Sequence, residues 1–203
     1  MPFLDAIPQP CRDWLNSELD DAREWTAGRM GWVRLILWLY LIYLGINHLR
    51  DPLYGSWFSG LTLGIHELGH VVMGWGGQWI MAAGGTFWQL MVPLIAVVMF
   101  RRQRDWFGIS VALCWLADSM WGMATYMADA RALELPLVSL SDEAEHDWEY
   151  LFNSVGLLNQ DTHIAVLVRI VTFFIWAGGI ALGGWLLWRM IRHPESSNDL
   201  LRS

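Results

Sequence analysis

The sequence predicts an all-α integral membrane protein, a bundle of four to five transmembrane helices. Three observations lead there. The chain of 203 residues is 55% hydrophobic with a mean hydropathy of +0.31. Only 16% of residues are charged, against roughly 25% in an ordinary soluble domain. Several apolar windows approach or reach the roughly 20 residues that a helix needs to cross a bilayer. A closed barrel is the other way to satisfy the backbone in lipid, but the alternating strands it requires are not seen.

The elements follow in order. Residues 1–30 form a polar segment that is acidic where a secretory signal would be basic, and no apolar run precedes a small-residue cleavage site. Leu15, Leu19 and Ala22 share one helical face there, as a surface-lying amphipathic helix would have; a solvated acidic tail is the alternative. The membrane domain is 31–192. Its windows are 31–49, 57–75, 87–100, 106–127 and 164–188. Residues 129–162 make an extramembrane loop that contains a short helix at 145–156, and 193–203 are a C-terminal tail. No internal repeat is evident. Cys11 and Cys114 lie in unlike surroundings, and neither a disulfide nor a CxxC site is expected.

Every basic residue is arginine, and arginines set orientation. Arg29 and Arg34 precede the first window, the run RRQR at 101–104 follows the third, and Arg189 and Arg192 follow the last. An even number of crossings must separate these clusters if all face the cytoplasm. Three windows between 34 and 101 make the count odd. The conflict disappears if the second window does not cross, so the segment carrying HELGH is expected to be short or re-entrant. The Gly-rich stretch 74–85 is read as irregular backbone. The expected location is a bacterial inner (cytoplasmic) membrane with a cytoplasmic N-terminus. A net charge of −7 excludes a nucleic-acid binder.

Residues 66–70, HELGH, place three ionisable groups in an apolar run, where such groups mark function. On a helix His66 and His70 share one face. They match the zinc ligands, and Glu67 the general base, of the H-E-x-x-H pattern. A pair of hydrogen-bonded histidines beside a protonated glutamate is the structural alternative. A bis-histidine haem is a poor fit, because two residues on one helix face cannot flank one haem. Asp118, in the middle of the fourth window, needs a partner there, and a metal is one. His48 and His163 are read as interfacial.

HELGH on a membrane helix resembles the site-2 protease family of intramembrane zinc metallopeptidases. The string GTFWQLMVP, with Gly85, Gln89 and Pro93, is similar to that family's middle helix. The resemblance implies that Gln89 hydrogen-bonds the substrate or the developing oxyanion; a plain backbone contact in the bundle is the other reading. The family takes a third ligand from an aspartate on a later helix, in an Asn-x-x-Pro…Asp-Gly setting that is missing here. Asp118 and Asp129 are the candidates, and Asp129 also suits capping or pairing with Arg131. The strings 128–137 and 145–158 resemble a group of bacterial HExxH membrane proteins. In that light His146 and Asp147 become candidate ligands or supporting groups; a solvated helix start is the plainer reading of EHDWE.

Two functions are therefore expected to compete. One is a zinc peptidase acting on membrane-associated polypeptides. The other is a non-catalytic subunit of a larger respiratory or photosynthetic membrane complex, with other membrane proteins and the lipid bilayer as partners.

Overall fold

The computed structural model describes residues 8–136 and 146–192. The C-terminal tail 193–203, the first half of the acidic run 142–149 and the first seven residues of the N-terminal segment lie outside the described residues. All regular structure among the described residues is helical: α1 (Gln9–Thr26), α2 (Gly31–Arg50), α3 (Trp57–Met73), α4 (Gln78–Arg102), α5 (Trp106–Ala128), α6 (Asp147–Ser154) and α7 (Asp161–Arg192). Helices α2, α4, α5 and α7 are long and apolar enough to cross a membrane. The protein is a helical membrane bundle.

Helix α5 is the hub, with most of its apolar window buried while the other spans turn about three-quarters of theirs outward. It packs closest on α7, where small residues let the backbones meet. Ser110 Oγ donates to Gly179 O at 2.8 Å, and Trp38 Nε1 of α2 donates to Ile180 O at 3.0 Å. The glycine-rich run 178–184 is thus an internal packing face.

Side-chain contacts define the two ends of the bundle. At the first end, Gly31 lies against Met190, and Arg101 pairs with Glu18. Arg104 lies 3.7 Å from Asp21. Helix α1 therefore straps this end, and its acidic face meets the arginine run; Ala22 is buried while Trp14 stays largely exposed. At the opposite end Thr125 Oγ1 donates to Pro52 O at 2.8 Å, and Trp79 Nε1 donates to Ser154 Oγ at 3.1 Å. Pro52 and α6 lie at this second end.

Between these ends α3 starts part-way along the bundle. Pro52 lies beside Thr125, but Phe58 stacks on Trp115, with ring centroids 6.1 Å apart. Ten residues of α5 separate those two levels, about 15 Å of helix rise. The loop 51–56 thus descends into the bundle. Ser56 caps α3 there, accepting from Phe58 N–H at 3.0 Å, while Ser59 Oγ accepts from Ser56 N–H at 2.8 Å. The Trp57 N–H donates to Tyr40 Oη at 3.2 Å, halfway along α2. Helix α3 then climbs back to the second end, its 17 residues giving about 25 Å of rise. Of the helices long and apolar enough to cross a membrane, α2 and α4 lie between Arg29 and 101–104, an even number.

Two details differ from the sequence reading. The irregular stretch is confined to 74–77, and α4 is already helical from Gln78. Gly77 makes the turn at φ +86°, a region glycine occupies at no steric cost. Moreover, α1 is docked on the end of the bundle and is not a free solvated tail.

Candidate metal centre

Helices α3 and α4 form a hairpin close enough that side chains would obstruct it. A Cβ on Gly69 would sit 2.4 Å from Gly84 O. A Cβ on Gly85 would sit 2.6 Å from both His66 Nε2 and His70 Nε2. Gly85 thus leaves open the space into which both imidazoles point. Across that space stands the first residue of α6. Asp147 Oδ2 is 3.0 Å from His66 Nε2 and 3.2 Å from His70 Nε2.

The other ring nitrogens are held. His70 Nδ1 is 2.8 Å from Met81 O, and a carbonyl can only accept, so this nitrogen carries the proton. His66 Nδ1 is 2.8 Å from Gln89 Oε1, and Gln89 Nε2 donates to Ser119 O at 2.9 Å. That second bond orients the amide, so His66 Nδ1 also carries a proton. Both Nε2 lone pairs then face the Asp147 carboxylate. Burial works to raise the Asp147 carboxyl, but when the two rings carry Nε2 protons their hydrogen bonds and charge prevail and hold it below the usual carboxylate range. Three electron-donating atoms within 4.8 Å of one another repel unless a cation lies among them, whether protons on the rings or a metal ion.

Glu67 is half-buried on the same turn of α3 and acts electrostatically on both His70 and Tyr126. Tyr126 was not singled out from the sequence. Its hydroxyl accepts the Asp147 N–H at 3.0 Å, and its ring lies 6.2 Å from that of His66. Nothing in MATYMAD marks it, since its position depends on α6 folding over the end of α5.

The remaining expected site residues lie elsewhere. Asp118 meets His48 Nε2 at 2.8 Å, with both side chains almost fully buried. His48 stacks on Trp121 at 4.9 Å, so it is a core residue and not an interfacial one. Asp129 accepts from Glu134 N–H and Leu135 N–H at 3.0 and 3.1 Å, holding the loop after α5. Its Oδ2 is also 3.4 Å from His146 Nε2. His146 caps α6 by accepting the Glu149 N–H on Nδ1 at 3.1 Å. Burial pushes the His146 imidazole below its ordinary range, against the opposing pull of Asp129. The structure brings His66, His70 and Asp147 together; Asp129 and His146 stand behind Asp147, and Asp118 is engaged by α2.

No protein-family model, curated protein or solved structure matches this chain. The site is therefore read from its own geometry.

Proposed function

We propose that the protein is a membrane zinc metallopeptidase, with His66, His70 and Asp147 as the metal ligands. The observation that carries this reading is the convergence of two Nε2 lone pairs and one carboxylate oxygen on the space beside Gly85. Two imidazoles and a carboxylate match the ligand set of catalytic zinc, which keeps a further position open. The Nδ1 bonds to Gln89 and Met81 are the outer supports that zinc-binding histidines need. Zinc, when bound, supplies a Lewis acid that polarises a carbonyl and brings a water's pKa to about 7.

The chain's own groups do the rest. The Glu67 carboxylate takes a proton from the attacking water as its oxygen bonds to the peptide carbonyl carbon. The same carboxyl returns that proton to the amide nitrogen as the C–N bond breaks. Gln89 orients His66 through Oε1 and gives one amide N–H to Ser119 O; its second N–H is the one that would reach an oxyanion. Tyr126 keeps a hydroxyl proton to offer the carbonyl oxygen, because its lone pair takes the Asp147 N–H.

The arginine-rich first end is read as cytoplasmic by the positive-inside rule, in a bacterial inner membrane. The site then lies toward the opposite face, and its substrates are polypeptides in or at that side of the membrane.

The deciding measurement is zinc content by elemental mass spectrometry, beside a His66→Ala/His70→Ala double variant. One zinc per chain, lost in the variant, is expected. No metal in either protein after zinc is supplied would overturn the proposal. Zinc bound without hydrolysis of any membrane-protein substrate would favour the accessory-subunit reading.

Gly85→Ala gives an independent check. The added methyl would lie 2.6 Å from both ligand nitrogens and force the imidazoles apart. Zinc affinity should drop by at least about tenfold, the lower end of what outer-shell changes cost, while the circular dichroism of the bundle is unchanged.

A further inference from the structure

Helix α5 is buried or half-buried along its whole length except at Gly122, its one exposed residue. The residues on either side are covered: Trp121 is 4% exposed and Met123 7%. One turn earlier Asp118 is held by His48, and three residues later Thr125 Oγ1 donates to Pro52 O. The exposure is thus a local gap in the wall of the bundle. A Cβ built at Gly122 would meet no atom within 4 Å. Glycine weakens a helix interior, and no close approach of another segment requires it at this position.

Helical geometry gives the direction in which the gap faces. Gly122 lies between Asp118 and Tyr126 around the helix, about 40° from each. Asp118 points to the end of α2, where His48 meets it at 2.8 Å. Trp115 and Tyr126 point to α3: Trp115 Nε1 donates to Thr62 Oγ1 at 3.2 Å, and the Tyr126 ring lies 6.2 Å from that of His66. The gap therefore opens between the end of α2 and α3. The stacked rings of Trp115 and Phe58 close it at depth, about 10 Å of helix rise from Gly122. At its other end it meets the metal centre. A helical side chain leans over the turn before its own, so Tyr126 leans toward the turn that carries Gly122. Its hydroxyl takes the Asp147 N–H at 3.0 Å.

We infer that the gap over Gly122 is a subsite of the metal centre that takes a large apolar side chain of the substrate, next to the bond cleaved. The subsite rests on the metallopeptidase reading and adds what that centre selects. Three features choose the occupant. The gap is continuous with the centre through Tyr126. Its walls offer aromatic carbon, from Trp115, Phe58 and Tyr126. The carboxylate on the same face, Asp118, is already engaged by His48, so no free charge calls for a polar group. Gly122 is then a specificity-determining residue, since any larger side chain there would fill the space meant for the substrate.

The test uses the full chain loaded with zinc and two peptide hydroxamates that differ only in carrying Phe or Ala beside the zinc-binding group. Binding is read from the rise in melting temperature on titration, so no turnover is needed. The unaltered protein is expected to bind the Phe compound at least about tenfold more tightly, the lower end of what a small change of fit in an apolar pocket gives. Gly122→Leu should lose that preference and keep its affinity for the Ala compound. Its zinc content and circular dichroism should stay unchanged, because the position is open and leucine favours a helix. Gly122→Ala, which adds a single carbon, should fall between the two. Equal binding of both compounds by the unaltered protein, or an undiminished preference in Gly122→Leu, would show a lipid-facing glycine only and overturn the subsite while leaving the metallopeptidase reading in place. Binding of neither compound to the zinc-loaded protein would overturn that reading, and the subsite with it.

Discussion

On the proposed mechanism, Glu67→Gln is expected to abolish peptide hydrolysis and to leave zinc binding intact. Glutamine keeps the size of the side chain and its place on α3 but cannot take a proton. Loss of a positioned general base costs roughly 10²–10⁴ in rate, so turnover should fall to the detection limit in a detergent or vesicle assay. Zinc per chain should stay at the unaltered value, because Glu67 is not one of the three converging ligands. Retained hydrolysis in this variant, with zinc bound, would show that another group moves the proton.

Asp147→Asn is expected to lose the metal with little change in fold. The substitution keeps the backbone N–H that bonds Tyr126 Oη at 3.0 Å. It also keeps the helix start, which His146 caps. What disappears is the one formal negative charge facing two imidazoles at 3.0 and 3.2 Å. The fall in zinc affinity should exceed the roughly 10–100-fold that outer-shell changes cost, measured by competition with a chelator of known affinity. Asp118→Asn provides the contrast. Asp118 is engaged by His48 at 2.8 Å, so its loss should lower thermal stability without releasing zinc. The reverse pattern would make Asp118 the ligand and α6 a bystander.

These two variants also show where the sequence was legible. The apolar windows were sufficient for the helical class, and α3 is absent from the helices long and apolar enough to cross a membrane. Charge parity is a global constraint that survives local ambiguity. HELGH was legible because helical spacing alone places 66 and 70 on one face. The third converging group was not, because it depends on tertiary contact. Asp118, Asp129, His146 and Asp147 are all acids or imidazoles downstream of HELGH, and nothing local ranks them. The ranking comes from three separate packing events. His48 turns inward to take Asp118, the loop after α5 folds onto Asp129, and His146 caps α6 so that the next residue faces the histidines. Gly85 shows the same limit. It reads as part of a glycine-rich bend, yet it lies inside α4, where its missing side chain makes room for two imidazoles.

The half-depth start of α3 bears on how the protein is made. A helix of 17 residues with two histidines and a glutamate is a poor candidate for entering lipid unaided. Its N-terminal turn is satisfied by Tyr40 of α2, and its middle by Trp115 of α5, through the bond from Trp115 Nε1 to Thr62 Oγ1. Helices α2, α4 and α5 must therefore already be in the bilayer before α3 can settle among them. Synthesis must pass α5 before the α3 helix can seat, and reach α6 before Asp147 arrives. The centre thus draws on three separate stretches of chain, and a chain halted before Asp147 carries no complete ligand set.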